Sequence, residues 1–288
     1  MRRTAYLLAA DPAWVEESVA SYYDLVERII VCYDESAISW TGRPLAVEES
    51  LSRLHAVDHD HKMVDLPGNF HDRDGGPMAL ETHQRNVALA AASDGADWVL
   101  QLDTDEMLAS PGRFAEVLEV ADRRGFHGLE YPARNLYQHI RGDRYLEWSS
   151  RWWRIIASYP GPAAVRAGTK LEHARQGPTD LYRVDFAAHN TDPAHPIGTI
   201  VNSIVRPSEG ILHYSWVRSD EEMSRKTQTW GHANDTDWAP QVDHWRRSRR
   251  RPMMSLAGSL SPRSRAFLRL ARIDTPPGPE ALARNRIG

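Results

Sequence analysis

Four short apolar runs near the start of the chain constrain its fold more than any other feature. Residues 4–10 (TAYLLAA), 28–34 (RIIVCYD), 61–66 (HKMVDL) and 97–102 (DWVLQL) are strand-length, and helix-length segments separate them. Three of the four are apolar almost throughout, the pattern of strands buried on both faces, and 61–66 is the weakest. Strands that alternate with helices build βαβ units and a mostly parallel sheet. In such a sheet ligands bind beyond the carboxyl ends of the strands. Two runs place acid there: one closes on Asp34, and another runs directly into Asp103, Asp105 and Glu106.

Helices are expected from Asp11-Pro12 to about residue 25, over 47–55, over 78–93 and over 112–124, and another from about 219. Asp11 is a reasonable N-cap with Pro12 in the first helical position. The second half is less regular. It offers strands near 127–132, 151–157 and 210–216 with a long Pro/Gly-interrupted stretch between the last two, and residues 274–288 read as a flexible tail. The expectation is one domain over 1–240, with a first half to about 110 and a second over 111–240, followed by a basic C-terminal helical extension over 241–288.

Charge is unevenly spread. Residues 241–288 carry 11 Arg against three acids, a balance of +8, so the remainder of a chain with net charge −4 carries −12. A basic segment on an acidic body implies contact with phosphate, an anionic acceptor or a membrane surface. The competing reading is that it braces the acidic body, in one chain or across a homodimer, and the acidity of the body argues against nucleic acid. The single Cys32 excludes a disulfide framework and a Cys-rich zinc site. No run approaches a membrane span of about 18 apolar residues, and the N-terminal apolar run is too short for a signal peptide, so the expected location is cytoplasmic.

Crowded carboxylates raise one another's pKa unless a cation or proton compensates. An Asp-X-Asp at a strand end can turn both carboxylates toward one ligand, and hard oxygen donors suit Mg²⁺ or Mn²⁺ bridging a diphosphate. The same acids would also serve as a solvated turn capping the next helix.

The stretch QRNVALAAASDGADWVLQLDTDEML resembles family 2 glycosyltransferases and their relatives with the GT-A fold, in which an Arg-Asn on a helix precedes a Trp-bearing strand ending in Asp-X-Asp-Glu. The upstream DPAWVEESVASYYDLVERIIVCYDES is similar to the opening of that family, although AADPAWVEES stands where many relatives carry an Asn-Glu pair. The resemblance implies a Rossmann-like α/β fold and a metal-dependent hexosyltransferase. Such an enzyme moves a sugar from a nucleotide-diphosphate donor to an acceptor hydroxyl on a small molecule or glycan, with inversion.

Carried onto this sequence, the resemblance implies that Asp34 binds base or ribose, Arg85 supports the diphosphate side, Asp103 meets ribose or metal and Asp105 meets the metal. It likewise makes His213, in ILHYSWVRSDEEMSRK, a third metal ligand, with Lys226 and Arg218 neutralising the departing diphosphate. A base must take the acceptor's proton; Glu172 is the first choice, His173 the second, with Asp180 behind them. Trp148, Trp152 and Trp153 offer a platform for a sugar ring. The nearest rival is a nucleotidylyltransferase acting on sugar phosphates, though LLAADPAW lacks the Gly-rich basic loop such an enzyme needs. The other is a carbohydrate-binding protein on the same fold without turnover. No P-loop sequence is present.

Overall fold

The computed structural model describes residues 1–273 except Arg73, residues 262–263 and residues 265–266. The order of elements is β1 (Arg3–Leu8), α1 (Val15–Ala20), β2 (Arg28–Asp34), α2 (Val47–Val57), β3 (Met63–Gly68), α3 (Pro77–Ser93), β4 (Trp98–Leu100), β5 (Glu106–Leu108) and α4 (Pro111–Arg123). Then come β6 (Gly128–Glu130), β7 (Ala133–Arg141), β8 (Arg144–Ser149), β9 (Ala164–Arg166), β10 (Leu181–Asp185), β11 (Ser203–Ile204) and β12 (Ile211–His213). The last elements are α5 (Asp220–Thr229), α6 (Ala239–Arg250), α7 (Pro252–Ser259) and β13 (Phe267–Arg272).

The expected α/β architecture is present. An eight-stranded sheet runs in the order β11-β10-β6-β9-β4-β1-β2-β3. All its pairings are parallel except those of β9, which lies antiparallel between β4 and β6. Successive residues of the central strands alternate between two cores. Ala5, Leu7, Ile29, Val31, Trp98 and Leu100 pack with Val15 and Val19 of α1, Leu54 of α2 and Phe114, Val117 and Leu118 of α4. Tyr6, Ile30, Cys32 and Val99 point the other way, against Ala88, Leu89 and Ala92 of α3. Each aliphatic side chain so buried contributes about 1.5–3 kcal/mol, which fixes the strand register.

From β1 the chain winds outward through β2 and β3, then returns to place β4 on the other side of β1. That reversal opens a crevice at the carboxyl ends of β1 and β4, where Asp11 and the acids after β4 emerge. A second sheet, β13-β8-β7-β12-β5, closes the opposite wall. Its β5 begins at Glu106, so the turn Asp103–Glu106 joins the two sheets, closed by the Glu106 N–H donating to the Asp103 carbonyl at 3.0 Å.

Several local expectations change. The first helix covers only Val15–Ala20, because the Asp11 carboxylate accepts from Ala13 N–H and Trp14 takes a left-handed φ of 67°. Residues 151–157 form a turn and isolated bridges; the strand is β8, paired in a hairpin with β7 through Gly142. The basic extension does not stand apart. Val242 and Trp245 of α6 and Leu268 of β13 share a core with Tyr137, Leu146 and Met223, and β13 pairs along the whole of β8. Residues 274–288, expected as a flexible tail, lie outside the described residues. Among the described residues no helix is long and apolar enough to cross a membrane.

Candidate functional site

A cavity of about 430 Å³ opens at the crevice between β1 and β4, bounded on its far side by β12 and α5. Asp34, Arg85, Asp103, Asp105, His213 and Lys226, all expected from the sequence, line it together. Glu172 does not: it is exposed in the turn that pairs with Gln176, and His173 and Asp180 are exposed as well. The tryptophans expected as a sugar platform also lie elsewhere. Trp152 and Trp153 are solvent-exposed and Trp148 packs edge-on against Tyr137, whereas Trp40, Trp216 and Trp230 line the cavity.

The turn after β4 splays its acids onto different cations. Asp103 Oδ1 accepts from Arg85 Nη2 at 2.8 Å, and Arg85 also holds Glu81 one helical turn back on α3. Glu106 is gripped by both terminal nitrogens of Arg175, at 2.6 and 2.7 Å. Arg175 is itself locked by donating to the Gln101 carbonyl at 2.6 Å. Asp105 is buried; its Oδ2 accepts from Lys226 Nζ at 2.6 Å and from Arg218 Nη2 at 2.8 Å, while His213 Nε2 lies 3.4 Å from Oδ1. Arg218 reaches onward to Asp11, whose carboxylate thereby ties the loop after β1 to the start of α5. The acids at the end of β4 are therefore compensated by the protein's own arginines and lysine.

These contacts set the protonation of the pair. Burial alone would push the Asp103 carboxyl up, but the Arg175 and Arg85 guanidiniums outweigh it and hold it at about 2. Burial also opposes charge on Asp105, and Lys226, His213 and Arg218 together hold it well below the usual carboxylate range.

Asp34, expected to bind base or ribose, is engaged by the protein's own loops. It lines the cavity, yet its Oδ1 accepts from Ser36 and Ile38 N–H, and its Oδ2 accepts from Phe70 N–H and lies 2.8 Å from His71 Nδ1. Burial disfavours its charge, but those bonds outweigh it and its pKa is lowered. The carboxylate thus pins the loops after β2 and β3 at one end of the cavity. Asn86 likewise bonds Leu171 backbone on both sides and takes no part in the lining.

Helix α5 presents the rest of the wall. A capping box between Ser219 and Glu222 starts it firmly, and Arg225, Lys226 and Thr229 share the face toward the cavity. Gly231, just beyond, lies so close to α3 that a Cβ there would clash with the Glu81 carboxylate. That close approach seats Trp230 and His232 at the rim. Trp230 Nε1 is a buried donor with no partner among the described residues, and His232 Nδ1 lies 2.5 Å from Asp235 Oδ2.

The set Asp103, Asp105 and His213 does not fit a divalent cation in this arrangement. Asp103 turns onto Arg85, and both donors on Asp105 Oδ2 are cations, so an ion there would face an ammonium and a guanidinium at contact distance. Among the described residues no three His, Cys, Asp or Glu side chains group as metal ligands.

Sequence reasoning missed Asp11, Trp40, Arg175, Trp216, Trp230 and His232. Only Asp11 carried a usable signal, as an acid just after the first strand.

No family model matches the chain, and no curated protein matches it. Among solved structures, 4-diphosphocytidyl-2C-methyl-D-erythritol synthase from Anaerococcus prevotii is similar at TM-score 0.35 and 12% identity, covering 58% of this chain and 70% of that one. Mannose-1-phosphate geranyltransferase from Thermus thermophilus is similar at TM-score 0.28 and 12% identity, covering 59% of this chain and 51% of that one. Likeness at that level bears on neither mechanism nor substrate.

Proposed function

We propose that the cavity binds a nucleotide-diphosphate sugar and that the chain transfers the sugar to an acceptor hydroxyl with inversion. The observation that carries this reading is the lining itself: Arg85, Arg175, Arg218, Arg225 and Lys226 surround a crevice at the strand ends beside three tryptophan rings. Cations suit a diphosphate, and aromatic faces suit a nucleobase and a pyranose. In the transfer, the acceptor oxygen forms a bond to the anomeric carbon while the bond from that carbon to the diphosphate breaks. The electron pair leaves with the diphosphate, stabilised by the cations, and the hydroxyl proton passes to a base. The base in this reading is His232, a histidine of the lining whose ring is oriented by Asp235. Glu172 stands two residues from the lining residue Ala174 and is the second candidate.

The names of the two similar structures stand nearer to chemistry on sugar phosphates, but their TM-scores of 0.35 and 0.28 carry no argument. Against nucleotidylyl transfer, the loop after β1 has no glycine to wrap a triphosphate, and its Asp11 is engaged by Arg218. One assay separates the two. Release of UDP, GDP, CDP or dTDP from the corresponding nucleotide-sugars supports the transferase; pyrophosphate released from a nucleoside triphosphate and a sugar 1-phosphate overturns it.

A further inference from the structure

We propose that this site, on the donor-binding reading above, takes its nucleoside diphosphate without a divalent cation, with Asp105 serving to hold Lys226 and Arg218 in place as the cation pair that receives the phosphates. Three observations converge on this. The first concerns the carboxylate: Asp105 Oδ2 already carries two charge-assisted bonds, at 2.6 and 2.8 Å, and Oδ1 faces His213. A metal at the short oxygen distances such ions require would have to displace an ammonium from that oxygen.

The second is the way the cations are supported. Lys226 Nζ donates to Ser215 Oγ as well as to Asp105, and Arg218 donates to the Ser215 carbonyl, to Asp11 and to Asp105. A lysine has three protons to give, and two are accounted for by these partners. Arg218 is almost wholly buried, so the pair is pre-set and needs no side-chain ordering when an anion arrives.

The third is how the charge is distributed round the cavity. Arg85 and Arg175 stand on the Asp103 side, Arg218 and Lys226 on the Asp105 side. Arg225, on the same face of α5, has no side-chain partner among the described residues. Positive groups on both walls can flank a diphosphate laid between them, which is the electrostatic role a bridging ion would otherwise fill.

The test uses the full chain and calorimetric titration with UDP, GDP, CDP and dTDP, each in EDTA and in Mn²⁺. The expected result is that the diphosphate that binds does so with equal affinity in both. Lys226→Met is expected to weaken it by roughly 10- to 100-fold, as loss of a charged hydrogen bond does, with partial recovery in Lys226→Arg. Melting of each variant without nucleotide establishes that it is folded; Lys226→Met leaves Asp105 paired with Arg218, so a folded protein is expected. Binding that requires Mn²⁺ overturns the inference and leaves the transferase reading intact. Binding in EDTA that ignores Lys226→Met overturns the role given to that lysine. If none of the four binds under either condition, both readings fall.

Discussion

Replacing Asp105 by alanine tests how the site is built. Seen from the sequence, an acid beyond the end of a strand serves ligation and is dispensable to the fold. The structure predicts otherwise. Asp105 is buried, and its removal leaves Lys226 with Ser215 Oγ as its sole hydrogen-bond acceptor among the described residues, while Arg218 keeps Asp11. Removing one partner of a buried ion pair costs about 3–5 kcal/mol, because a charge is left in low dielectric without compensation. Against a total stability of about 5–15 kcal/mol this is a large fraction. At about 2–4 °C per kcal/mol for a chain of this size, it lowers the melting temperature by roughly 6–20 °C. The informative comparison is with the double variant Asp105→Ala/Lys226→Met, which removes the stranded ammonium too. Urea unfolding of the wild type, both single variants and the double variant closes a cycle, and the double variant should recover most of the loss. The reasoning is refuted if Asp105→Ala unfolds within about 1 kcal/mol of the wild type, or if the two changes simply add.

Three further outcomes are expected. Because the folded-state pKa values of Asp103 (about 2) and Asp105 are depressed, their stabilisation is complete above the ordinary carboxylate pKa of about 4 and is lost as pH falls from there toward 2; the urea midpoint followed across that window should drop, and less steeply in Asp105→Asn. His232→Gln should lower sugar transfer by roughly 10²–10⁴-fold with donor binding retained, while Glu172→Gln should stay within a few-fold; the opposite ranking would move the base to the 172–176 turn. Trp245→Ala should cost about 3–5 kcal/mol in a denaturant titration, since its ring is buried and its Nε1 donates to the Trp216 carbonyl at 2.9 Å; a loss near zero would mean that α6 is only loosely attached.

The parts of the molecule legible in the sequence are those decided locally. β1, β2 and β4 show as near-continuous apolar runs because both faces are buried, and the acids after β4 show because three carboxylates fall within four positions at the end of such a run. The partners of those acids were partly named, but their assignment to Asp103, Asp105 and Glu106 was not readable. Arg175 meets Glu106 across 69 positions, Lys226 meets Asp105 across 121, and Arg218 meets Asp11 across 207. No periodicity links such pairs. The tryptophans mislead for a related reason: three lie together in residues 148–153, yet the turn after β8, closed by Ser150 N–H donating to the Arg154 carbonyl, leaves two of them in solvent. The three that line the cavity come from the loop after β2 and from either side of α5, and form no local pattern. Residues 267–272 read as part of a basic tail because Arg269 and Arg272 mask a strand in which Leu268 and Ala271 are covered.

Those long separations also order events during synthesis. Asp103, Asp105 and Glu106 emerge as a triple of negative charge well before Arg175, and the cations at 218 and 226 follow later still. Domains gather from the N-terminal side as they are made, so the nascent β1–β4 sheet must wait with three acids at its rim and only Arg85 at hand to offset them. A chain that stops before Arg218 is therefore not a smaller version of the protein. Arg85 and Arg175 already meet Asp103 and Glu106, but Asp105 stays without either of its cations until the last third arrives.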